Sequence, residues 1–309
     1  MQLTFLGTGA GRPSKSRNVS SLAFSLTEPN NGYWLFDVGE ATQHRLLELK
    51  LKLNKLDRIF ITHMHGDHLY GLPGLLSSRT YYEGAGKLTL FGPAGIRAYV
   101  ECVFAHSGAH LNYELDVVEI EAGPIHEDHR CRIVAAELDH RLPCFGYRIE
   151  EKPRPGALDL AKLIGMGVPL GPLYGKLKQG EDVTLEDGRT IRSSDVVGPE
   201  ASGAVFAIMG DTRPCDNAIE LARNADVLVH EATFATGLED KAECYGHSTM
   251  LQAATIAARA NAKRLVVTHF SSRYDDEQIS ELVEGAISTF PDIVAARDCM
   301  QLDISKPRE

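Results

Sequence analysis

The run His63-Met64-His65-Gly66-Asp67-His68 directly follows the apolar stretch Ile59-Phe60-Ile61-Thr62. At the end of a strand, His63 and His65 point to one side, and a turn at Gly66 brings Asp67 and His68 round to a neighbouring position. Four metal-ligand residue types within six positions suit two adjacent cations. Two cations need more donors than one loop supplies, so further ligands are expected at the ends of later strands. His140, Asp211 and His269 each follow an apolar strand candidate, where α/β sheets place their ligands. One polar residue at a strand end is ordinary, but three of them together with the loop form a single explanation. Imidazole and carboxylate donors suit zinc, with manganese or iron compatible. A metal pair about 3.5–4 Å apart activates water and clamps the attacking and leaving oxygens of a phosphodiester. Asp67 is the residue placed to hold or deprotonate that water, and no nucleophilic Ser or Cys is required.

Short β-rich runs alternate with helical patterns along the chain, as in a layered α/β protein. Strands are expected near 2–6, 34–38, 58–62, 88–91, 132–136, 204–209, 227–230 and 264–268, and helices near 41–50, 95–104, 218–224, 251–261 and 277–289. One domain over residues 1–309 is expected, interrupted by an insertion at 150–195 where Pro153, Pro155, Pro169 and Pro172 mix with Gly156, Gly165, Gly167, Gly171, Gly175 and Gly180. That density of helix and strand breakers predicts an irregular or weakly packed segment. It also carries Lys152, Arg154, Lys162, Lys176 and Lys178 against one acid, Asp159, which reads either as a positive arm or as a solvated loop.

Composition excludes several classes. The chain is 43% hydrophobic and 24% charged, close to soluble globular averages. No apolar run reaches the roughly 20 residues of a membrane span, and the opening Met1-Gln2-Leu3-Thr4-Phe5-Leu6 lacks the basic and apolar regions of an export signal, so a cytoplasmic location is expected. The six cysteines form no C-x-x-C pair, which fits reduced thiols. A net charge of −10 means that any polyanion must be held by local basic patches. Gly7, Gly9 and Gly11 follow a strand but open no helix, so a nucleotide cofactor is not expected.

The loop His63-x-His65-x-Asp67-His68, with His140, Asp211 and His269, resembles the metallo-β-lactamase superfamily, and across nearly the whole chain the sequence is similar to the bacterial ribonuclease Z family. That resemblance implies a four-layer αβ/βα sandwich with a protruding flexible arm. It implies two zinc ions per subunit, one held by His63, His65 and His140, the other by Asp67, His68 and His269, with Asp211 bridging. Pro13-Ser14-Lys15-Ser16-Arg17-Asn18 is similar to the family's P-x-K-x-R-N loop, implicated in tRNA binding. Arg12, Lys15 and Arg17 would there meet RNA phosphates, unless the loop is simply a solvated basic one. His230-Glu231-Ala232-Thr233 matches the HEAT motif, and His247 stands where the family pairs a phosphate-contacting histidine with that Glu.

Read from the residues alone, His247 precedes Thr249-Met250-Leu251-Gln252, a capping-box pattern opening a helix, and a helix N-terminus favours a phosphate. Taken singly, His247 is more often a capping or surface histidine; with Glu231 paired to it, as the resemblance implies, it becomes a candidate general acid. The insertion around Gly171-Pro172-Leu173, with Lys176 and Lys178, resembles the arm that grips the tRNA elbow. The implied activity is cleavage of the 3′ trailer from precursor tRNA after the discriminator base, leaving a 3′ hydroxyl and a 5′ phosphate. The competing readings are a hydrolase of small esters, thioesters, lactams or cyclic phosphodiesters on the same fold, and a non-catalytic RNA-binding protein, which the complete ligand set disfavours. A homodimer is implied as well. Its candidate surface, Leu69 to Leu76, reads equally as core.

Overall fold

In the computed structural model, which describes residues 1–25, 32–200 and 202–304, the apolar runs pair into two seven-stranded sheets. The first has the order Gln301–Asp303, Gln2–Gly7, Ser21–Ser25, Tyr33–Phe36, Leu56–Phe60, Leu88–Gly92 and Leu115–Glu119. The second runs Ile293–Ala295, Leu265–Thr268, Val227–Glu231, Val205–Ile208, Cys144–Glu151, Cys131–Leu138 and Gly123–Glu127. Every strand and helix expected from the sequence is present, with ends moved by a few residues.

The strand Tyr33–Phe36 is buried along its whole length, as in a sheet covered on both faces. Aromatic side chains join the two sheets: Phe24 lies 5.2 Å from Phe206, and Tyr147 lies 5.3 Å from Phe60 and 5.7 Å from Phe36, centroid to centroid. The Tyr147 hydroxyl donates to Ile61 O at 2.6 Å, satisfying the one polar atom this ring carries into the interior. On its other face the first sheet packs against Thr42–Glu48, Leu72–Arg79 and Ile96–Ser107, and the second against Asp216–Ala222, Met250–Arg259 and Asp276–Ala286. Ala253, Ala254 and Ala257 let Met250–Arg259 sit close to its sheet. The result is the expected four-layer αβ/βα sandwich.

Leu69, Leu72, Leu75 and Leu76 belong to the core beside the first sheet, which leaves Tyr70, 69% exposed, as the large exposed apolar side chain of that stretch. The core alternative therefore holds for the four leucines.

The chain divides into two compact units, and the smaller comprises Glu127–Arg132 and Glu150–Ala204. The insertion was expected to be irregular or weakly packed, and of these alternatives the weakly packed one does not hold. Leu163 and Leu177 are fully buried in a cluster with Val168, Val183, Ile191 and Val196. The breakers end short elements instead of preventing them. Asp159 caps Leu160–Gly165 by accepting from Lys162 N, Pro172 occupies the first turn of Pro172–Lys178, and Gly188, at φ 84°, turns the chain between Val183–Thr184 and Thr190–Ile191.

Candidate metal centre

The parallel strands of both sheets deliver their C-terminal loops to one cluster. After Tyr33–Phe36 the chain reaches Asp37, held at φ 59°. Asp37 accepts from Thr62 N at 2.8 Å, from Thr62 Oγ1 at 2.9 Å and from His68 Nδ1 at 2.7 Å. With its proton committed to Asp37, the Thr62 hydroxyl accepts from His63 Nδ1 at 3.0 Å. His63 and His68 therefore both turn Nε2 inwards. Gly66 opens the single turn Gly66–Leu69, and a side chain there would meet the Tyr70 ring at 2.1 Å. Asp67 follows, with Oδ2 accepting from the Gly11 amide at 2.7 Å.

The second sheet supplies the other donors. His140 donates from Nδ1 to Gly246 O at 2.6 Å, and His269 pairs through Nδ1 with Thr233 Oγ1 at 2.8 Å. The inward atoms converge: His63 Nε2 lies 2.9 Å and His140 Nε2 3.2 Å from His65 Nδ1, and His68 Nε2 lies 3.3 Å from His269 Nε2. Asp211 Oδ2 is 3.7, 3.5 and 3.4 Å from the Nε2 atoms of His63, His68 and His269. All seven expected ligands are thus brought together, with His63, His65, His140 and Asp211 in one group and Asp67, His68 and His269 in the other. Asp211 also groups with His247 and His269.

This donor set fits divalent cations. Imidazole nitrogens face one another at hydrogen-bond distance, while four of the five rings have their other nitrogen anchored outside the cluster, the arrangement typical of metal-binding histidines. Burial pushes His63, His65 and His140 down, which keeps them neutral for coordination. Burial acts the same way on His68, but Asp211, Asp37 and Asp67 outweigh it and raise that imidazole. Burial would raise the Asp67 and Asp211 carboxyls, yet the surrounding histidines hold both well below the usual range.

Glu231, fully enclosed at the end of Val227–Glu231, accepts on Oε1 from Thr212 N at 3.0 Å and from His247 Nδ1 at 2.9 Å. Burial lowers His247, but the Glu231 carboxylate prevails and lifts it to about 9. The capping box read from Thr249 and Gln252 opens Met250–Arg259 two residues later. His230 points away into the interior, where its Nδ1 meets Glu231 O at 2.7 Å.

Of the residues assigned to RNA, Lys15, Lys176 and Lys178 are exposed. Arg17 is not, and that assignment is corrected. The side chain is 6% exposed, donates to Thr8 Oγ1 and Ala296 O, pairs with Asp276 at 2.6 Å and lies over the Phe270 ring. It anchors the loop and is not free to meet phosphate. The sequence reading also passed over Phe234, Lys241, Tyr245 and Arg273, which line the cleft above Asp67 and His247. Nothing in their local pattern marks them. Asp37, which holds Thr62 and His68, was missed although it follows a strand as the later ligands do.

This sandwich, with its ligand cluster at the strand ends, defines a protein of the metallo-β-lactamase superfamily. A family model described as a beta-lactamase superfamily domain matches residues 182–270, and one described as anti-Pycsar protein Apyc1 matches residues 1–107. The chain is 52% identical to ribonuclease Z of Bacillus licheniformis over 99% of its own length and 100% of that protein, and 50% identical to ribonuclease Z of Geobacillus kaustophilus with the same coverage. The solved short form of human tRNase Z superposes with a TM-score of 0.72 at 29% identity, covering 99% of this chain and 100% of that one. The chain belongs to the ribonuclease Z family of endoribonucleases.

Proposed function

We propose that this chain cuts precursor tRNA immediately after the discriminator base, leaving a 3′ hydroxyl on the tRNA and a 5′ phosphate on the trailer. The observation that carries the reading is the full-length likeness to proteins named ribonuclease Z, and the complete ligand set agrees with it. Two zinc ions, with manganese as a substitute, would be held by His63, His65 and His140 and by Asp67, His68 and His269, with Asp211 between them. When bound, they supply Lewis-acid polarisation of the phosphate and a lowered pKa for the attacking water. Asp67, its carboxylate fixed by the Gly11 amide, orients that water and receives its proton. His247, kept charged by Glu231, donates a proton to the departing 3′ oxygen.

Lys15 and the insertion at 150–195, carrying Lys176 and Lys178, serve as the local basic patches that a chain of net charge −10 needs for a polyanion. In this reading residues 1–309 form a single metallo-β-lactamase-fold domain, the insertion at 150–195 is its tRNA-gripping arm, and two copies associate so that each arm serves its partner's site. A tRNA-processing role places the protein in the cytoplasm, and among the described residues no helix is long and apolar enough to cross a membrane. The test is to incubate the purified protein with a trailer-bearing precursor tRNA, with and without chelator, and to map the product ends. A chelator-sensitive cut after the discriminator base is expected. Its absence would overturn the proposal.

A further inference from the structure

Thr233 makes two short contacts with one hydroxyl. Its Oγ1 lies 2.5 Å from Glu231 Oε2 and 2.8 Å from His269 Nδ1. A threonine hydroxyl carries a single proton. Glu231 already accepts from Thr212 N on Oε1 and from Thr233 N on Oε2, so the hydroxyl proton points to Glu231 and Thr233 must itself accept from His269. His269 is then protonated on Nδ1, and its Nε2 presents a lone pair towards Asp67 Oδ2 and Asp211 Oδ2, both at 3.4 Å. The other Glu231 oxygen holds His247. One hydroxyl thus stands between a ligand of the candidate metal centre and the carboxylate that charges the candidate general acid. The fold uses the same device at Thr62, which donates to Asp37 and accepts from His63.

We propose that Thr233 is a positioning residue for both halves of the reaction, fixing the tautomer of His269 while steering Glu231 towards His247. The inference rests on the functional reading given above. Its two effects are unequal. Glu231 Oε2 also accepts from Thr233 N at 3.1 Å, a bond that survives loss of the hydroxyl, whereas His269 Nδ1 loses the partner that sets its tautomer. Removing the hydroxyl therefore weakens metal binding first.

The test compares Thr233→Val, which keeps the shape, with Thr233→Ser, which keeps the hydroxyl, in zinc-loaded protein titrated against a chromophoric chelator and assayed on precursor tRNA. In Thr233→Val one zinc equivalent should bind about 10- to 100-fold more weakly, with a comparable fall in kcat and little change in KM, and Thr233→Ser should restore both parameters. Wild-type affinity for both equivalents in Thr233→Val, or a Thr233→Ser as weak as Thr233→Val, would overturn the proposal. Should Thr233→Val not fold, 15N-histidine spectra of the wild-type protein decide: protonation of His269 on Nδ1 supports the assignment and protonation on Nε2 refutes it. A wild-type protein that binds zinc but cuts no precursor tRNA would sink the functional reading and leave the tautomer measurement standing.

Discussion

Asp211 is buried among the ligand histidines and Glu231 among hydrogen-bond donors, while Lys176 and Lys178 stand exposed on Pro172–Lys178 of the smaller unit. The first arrangement suits chemistry, because groups that act on a bond in flight must be held in place before the substrate arrives. The second suits a grip on a charged polymer, because cations that neutralise phosphates and release counterions must be open to solvent. The difference teaches that damage to the two regions should be separable: one set of variants stops turnover, the other loosens the substrate.

Asp67→Ala is the most severe way to press on that division. Hydrolysis of both precursor tRNA and bis(p-nitrophenyl) phosphate should fall by about 1,000-fold or more, with tRNA affinity in filter binding unchanged. Parallel loss of binding would merge the two regions. His247→Ala sharpens the catalytic side. It should lower kcat on precursor tRNA by about 10²–10⁴ and hurt bis(p-nitrophenyl) phosphate far less, since p-nitrophenolate leaves without a proton. Equal losses on the two substrates would rule out the general-acid role. Leu163→Ala opens a cavity in the core of the smaller unit and should cost that unit about 2–5 kcal/mol. It should raise KM for precursor tRNA while turnover of the small diester stays at the wild-type rate. Mildest of all, joint replacement of Lys176 and Lys178 by Ala should lessen the slope of log affinity against log salt by about 2. An unaltered slope would remove these two lysines from the grip.

The ligand cluster was legible because four donors are adjacent in the chain and the other three obey one rule, a polar residue where an apolar strand ends. Asp37 obeys the same rule and was overlooked, since a single carboxylate after a strand carries no second signal. The roles of Thr62 and Thr233, though both residues lie in stretches the sequence singles out, were beyond reach for a different reason. Their importance lies in which way a hydroxyl proton points, and that depends on contacts between segments far apart in sequence. Arg17 was misread because a cation in a basic loop looks alike whether its side chain faces water or turns into the fold, and its partner Asp276 lies 259 positions away. In the smaller unit the prolines and glycines were visible, but six apolar residues spaced among them were enough to make a core.

Asp298 accepts hydrogen bonds from the backbone of Thr8 and Asn18 and from the Thr8 hydroxyl, so the segment that hands the Gly11 amide to Asp67 is tied down by a residue translated 280 positions after Asn18. During synthesis the His63 to His68 loop emerges early and must then wait for His269 and Asp298. At about 5–20 residues per second, that interval lasts roughly 12–46 s. A nascent chain that has not yet reached these residues therefore carries half a nuclease, and the hydrolytic centre closes only when Asp298 has met Thr8 and Asn18.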